Sequence, residues 1–152
     1  MHDAKKRAQQ HYDAAHHFLH NTYPLLNEPK LLLGIFSNIS KSLEASMDAI
    51  LLHGRANHYI PAFGNTFFHK WNAFSKYASP KYQLAKEFTT LIVDLNKIRD
   101  LHDKSPMEFP RGETLIICNE EYDITTLSAK EARASLNKAQ ELLEKTKEIL
   151  KS

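Results

Sequence analysis

Few residues in this chain break a helix, and that scarcity limits what it can fold into. Only 4 Gly and 6 Pro interrupt 152 residues. Between them apolar side chains return every three or four positions, the period of a helix with one buried face. From Asp3 to Tyr23 the inward positions are Ala4, Ala8, His11 or Tyr12, Ala15, Phe18, Leu19 and Tyr23. Asn27-Glu28-Pro29 then offers a cap and a first-turn proline, after which Leu32, Ile35, Phe36, Ile39, Leu43, Met47, Ile50 and Leu51 carry a second helix to a stop near Gly54.

Arg55 to Phe63 reads as a loop, with Asn57, Pro61 and the following Gly64 as its punctuation. Phe67, Phe68, Trp71, Phe74 and Tyr77 form a short helix, and Ser79-Pro80 predicts a break. Leu84, Phe88, Leu91, Ile92, Leu95 and Ile98 then trace a third long helix. It ends by Asp103 or Lys104, because Pro106 drives Ser105 out of the helical region. Thr114 to Cys118 is β-prone, Asn119-Glu120-Glu121 is turn-like, and Tyr122 to Thr126 alternates, which together predict a hairpin. Ser128-x-x-Glu131 is a capping box that opens a last helix with the stripe Ala132, Leu136, Ala139, Leu143, Thr146 and Leu150. The expected architecture is one all-α domain over residues 1–152. It is a four-helix up-and-down bundle with a short extra helix and a small β-hairpin before the last helix.

Charge removes some function classes. Lys+Arg 20 against Asp+Glu 18 gives a net charge of +2, so no overall positive field draws in nucleic acid and any anion site must be local. The longest apolar stretch, Leu31 to Phe36, falls far short of the roughly 20 residues of a spanning helix, so no membrane is expected. Cys118 has no second cysteine to bridge with, and the charged N-terminus lacks a signal-peptide core; a cytoplasmic location is the expectation.

Two constellations could carry chemistry. His16 and His20 lie one turn apart and would chelate a metal only if a third ligand such as His53 or His69 arrived, and no Glu-x-x-His exists for a di-iron bundle. A lone pair fills half a tetrahedral shell, so no metal or other cofactor is assigned, and a His-based hydrolase stays a further alternative. Arg99 and His102 are three apart near a helix end, hence neighbours on one face. The imidazole can move a proton near neutral pH, the guanidinium can grip a phosphate, and Lys97, Lys104 and Arg111 add positive potential for substrate. The bland account is that basic residues gather at a helix C-terminus because the dipole favours them, and Arg55-x-x-His58 repeats the spacing. Cys118 in its apolar run reads as buried and inert, and Trp71 with its neighbours as core. No Gly-rich phosphate loop, Gly-x-Ser-x-Gly or Cys-x-x-Cys is present.

The order of elements, the helix ending Leu95-Asn-Lys-Ile-Arg-Asp-Leu-His102, and three segments carry a resemblance. The segments are Tyr23 to Gly34, Ser105 to Phe109 and Leu115 to Tyr122. The chain resembles the HEPN domain, an all-α family associated with RNA and nucleotides in bacterial and archaeal toxin and defence systems, and within it a mostly archaeal group. The resemblance implies a homodimer with Arg99 and His102 near its two-fold axis, and a metal-independent endoribonuclease in which Arg and His promote attack of a ribose hydroxyl on the adjacent phosphate. The family places its His four to six residues beyond the Arg. Arg99-Asp100 matches the first half, while His102 comes sooner, so the resemblance implies an altered site or a non-catalytic member. An antitoxin or a nucleotidyltransferase-like protein is the partner such a module would take.

Overall fold

The computed structural model describes residues 1–104, 107–121 and 123–151, the side chain of Lys104 excepted. Helix α1 (His2–His17) runs through a π-helical turn (Phe18–Thr22) into α2 (Tyr23–Leu26). It stops at Asn27, whose φ of 49° is the left-handed conformation that asparagine tolerates better than most residues. Helix α3 (Leu31–Ala56) follows, 26 residues long and therefore about 39 Å at 1.5 Å per residue. It overruns the expected stop at Gly54. The chain folds back there instead, with Tyr59 and Ile60 donating their N–H groups to the Gly54 carbonyl at 2.8 and 3.2 Å.

Helix α4 (Phe67–Ala73) starts at Thr66, whose hydroxyl accepts the His69 N–H at 3.2 Å. It continues through a second π-helical turn (Phe74–Ala78) into α5 (Ser79–Lys81). The break expected at Ser79-Pro80 is displaced: the helical backbone runs on through Pro80, which follows directly on the π-helical turn. The chain reverses instead at Gln83, with φ of 55°, before α6 (Lys86–Lys104). The predicted influence of Pro106 on Ser105 falls outside the described residues.

Strands β1 (Met107–Arg111), β2 (Thr114–Cys118) and β3 (Ile124–Leu127) form an antiparallel sheet in that order. The expected hairpin is its β2–β3 half, with Tyr122 outside the described residues. Strand β1 escapes a sequence reading because Pro110 argues against a strand, yet an edge strand tolerates it. Helix α7 (Ala129–Lys151) closes the fold, its start capped as expected by Ser128, which accepts the Glu131 N–H at 3.2 Å. The architecture is thus mostly helical, consistent with a bundle, but not purely α.

Helix α3 lies at the centre. Its small buried residues Ser42 and Ala45 let α1 approach through Ala4, Ala8 and Ala15, and the Ser42 hydroxyl donates to the Ala8 carbonyl at 2.8 Å. Glu44 of α3 bonds Asn96 of α6, and Leu33 lines the same cleft as Asp103, so these two helices run antiparallel. The main core draws on α3, the π-helical turn after α4, α6, α7 and the sheet through residues such as Leu43, Phe74, Phe88, Leu142 and Ile117. This packing holds the sheet against the C-terminal end of α6, where β1 meets His102.

Candidate functional site

The antiparallel pairing of α3 and α6 leaves a cleft of about 160 Å³. Leu33, Ser37 and Lys41 stand one turn apart on α3, and Ile98, Arg99, His102 and Asp103 face them from α6. The two residues expected to act together therefore share one cavity. Arg99 Nη1 lies 3.0 Å from Glu44 Oε2 and donates to the Ser40 hydroxyl at 3.4 Å. Asn96 takes the other carboxylate oxygen, Oε1, at 2.9 Å. Both partners are about three-quarters buried, at 28% and 24% exposure, so the pair has an orientation that a surface ion pair lacks.

His102 is held differently. Its Nδ1 lies 2.5 Å from Glu108 Oε1 on β1, while the ring stays half exposed. An ionised carboxylate only accepts, so Nδ1 carries the hydrogen and the neutral ring keeps its lone pair on Nε2. A histidine aligned this way by a carboxylate is equipped to accept a proton at Nε2. With Lys41 and Arg99 beside it, the cleft can receive an anion and remove a proton next to it.

The other expected residues lie elsewhere. Lys97 is exposed on α6 and does not line the cleft, since two residues turn a helix by roughly 200° from Arg99. Arg111 is exposed at the far end of β1, and the Lys104 side chain lies outside the described residues. Ser37, Lys41, Glu44 and Glu108 belong to the site and were not singled out from sequence. The spacing of Ser37, Lys41 and Glu44 along one face of α3 was available as a signal. Glu108 had none, because its place depends on the register of a strand that sequence did not foretell.

A neighbouring hollow of about 170 Å³ shares Lys41 and adds Glu44, the partner of Arg99, with Arg7, His11 and Asp48. Asp48 pairs with Lys70 at 3.2 Å and Arg7 at 3.9 Å. Burial nevertheless raises its carboxyl above the usual aspartate value, outweighing the pull of Lys70 and then Arg7. His16 and His20 sit with ring centres 4.4 Å apart, both exposed, and His53 is buried with Nδ1 3.2 Å from the Tyr82 hydroxyl. Among the described residues no three His, Cys, Asp or Glu side chains gather around one ion position. Cys118 is buried in β2. Among the described residues no helix is long and apolar enough to cross a membrane.

No family model matches the sequence, no curated protein matches it, and no solved structure matches its fold.

Proposed function

We propose that the protein is a HEPN-like RNA-associated protein that cleaves the phosphodiester backbone in the α3–α6 cleft without a metal ion. The observation that supports this reading best is the meeting of Arg99, His102 and Lys41 in one cleft, with His102 aligned by Glu108. His102 Nε2 takes the proton of a ribose 2′-hydroxyl as that oxygen attacks the adjacent phosphorus. The bond from phosphorus to the 5′-oxygen breaks, and the departing oxygen is protonated by water. Arg99 and Lys41 stabilise the charge that gathers on the non-bridging oxygens. A cleft of about 160 Å³ has the volume of roughly five water molecules, enough for a phosphate and a sugar edge. Among the described residues its lining includes no Phe, Tyr or Trp to stack a base, so cleavage is expected to show little base preference.

The test is cleavage of a mixed RNA pool in excess EDTA by the wild-type protein and by the Arg99→Ala/His102→Ala variant. Cleavage by the first alone is expected. Equal cleavage by both contradicts the assignment. One observation favours a second reading: Glu44 already neutralises Arg99 in the resting cleft. That suits a non-catalytic helical module paired with another protein, a nucleotidyltransferase-like one or an antitoxin, and RNA left intact by the wild type in this assay is its outcome. The proposal includes the homodimer that the resemblance implies, for which sedimentation equilibrium is expected to give twice the chain mass.

A further inference from the structure

The helices on either side of the Gln83 turn flank a larger cavity, half open to solvent and of about 460 Å³, within the size range of small-molecule sites. Trp71, Ser75 and Ser79 line it from one side. Four residues apart, they share a face of the continuous helix from α4 to α5, the π-helical turn Phe74–Ala78 lying between them. Lys86, Thr89 and Thr90 line it from the first turns of α6, and Pro80 and Leu84 complete its apolar wall.

The polar groups of this cavity are unevenly committed. Trp71 Nε1 donates to the Thr89 carbonyl at 2.9 Å, so the indole's polar edge is used and carbon is left for a ligand. The Ser75 and Ser79 hydroxyls donate to the carbonyls of Trp71 and Leu84 at 2.9 and 3.3 Å. Lys86 is different. It is exposed, it stands at the positive end of the α6 dipole, where a cation is disfavoured, and among the described residues it has no ion-pair partner. An adjoining hollow of about 400 Å³ shares Lys86 and Thr90, but its other cation, Lys138, is taken by Glu87 at 2.7 Å. The cavity therefore offers an apolar wall, two threonine hydroxyls and one uncompensated ammonium reinforced by a helix N-terminus.

We infer that this cavity binds a small amphipathic carboxylate, its apolar body against Trp71, Pro80 and Leu84 and its carboxylate at Lys86 beside Thr89 and Thr90. The inference is independent of any RNA chemistry in the α3–α6 cleft. Trp71 is the one tryptophan of the chain, so its emission reports occupancy of this cavity. Octanoate and its neutral counterpart octanamide are titrated against the wild-type protein and against Lys86→Gln, an exposed substitution that leaves the core untouched. Octanoate is expected to change Trp71 emission saturably and to bind about fivefold more tightly than octanamide, the scale of one partly exposed charge pair. In Lys86→Gln that preference is expected to vanish while octanamide binding stays as it was. No saturable change with either ligand, equal affinities in the wild type, or an undiminished preference in Lys86→Gln overturns the inference.

Discussion

Two carboxylates position the two residues that face the α3–α6 cleft, Glu44 for Arg99 and Glu108 for His102. The Glu108 contact fixes a tautomer. Neutral His102 is expected to carry its hydrogen on Nδ1, and long-range nitrogen–proton NMR correlations distinguish this from the Nε2–H form; Glu108→Gln is expected to remove the bias. Truncation of Glu44 leaves Arg99 part-buried without its charge partner. Glu44→Ala is therefore expected to cost about 1–3 kcal/mol in urea unfolding. Asp48 gives a pH signature. Its carboxyl is raised in the fold above the ordinary 3.8, chiefly by burial. In the window just above that value the native protein holds more protons than the unfolded chain, so this group's contribution to stability falls as pH rises through it. In thermal melts from acid toward neutral pH, Asp48→Asn is expected to gain stability relative to the wild type as pH rises; a difference that does not change with pH contradicts the account.

At the scale of elements, the two glycines of α3 respond in opposite ways to the same change. A Cβ at Gly34 meets nothing within 4 Å, whereas one at Gly54 collides with the buried Ile60 side chain and lies 3.3 Å from the Tyr82 hydroxyl. Gly34→Ala is expected to stabilise by about 0.5–1 kcal/mol through helix propensity. Gly54→Ala is expected to destabilise by about 1–3 kcal/mol through overpacking, and denaturant midpoints measure both. The long helices were legible because their apolar period is local: Ala4 to Leu19 and Leu32 to Leu51 declare a buried face without reference to the rest of the chain. Arg99 and His102 were legible for the same reason, being three apart on one helix. What sequence missed depends on tertiary placement. Gly54 looked like a helix stop and is a point of close approach for Ile60, and Pro80 looked like a break and is carried within the helix after a π-helical turn. Strand β1, with Glu108 upon it, follows only from pairing with β2.

For the whole molecule, α3 serves as the common wall of the core and the cleft. Its buried positions pack against α1, α6 and α7, its Ser37 and Lys41 line the cleft, and its Glu44 holds Arg99 there. The cleft is therefore built on helices, and among the described residues one positioning contact, from Glu108, comes from the sheet. On the proposed mechanism Glu108→Gln is expected to slow RNA cleavage while leaving the unfolding midpoint close to that of the wild type, since the contact is at the rim of the fold. The central claim is that His102 activates a ribose hydroxyl, and mass spectrometry of the fragment ends formed from RNA in excess EDTA tests it most directly. The account predicts 2′,3′-cyclic phosphate ends with the wild-type protein and intact RNA with His102→Ala; RNA left whole by the wild type, or the same ends produced by both proteins, contradicts it.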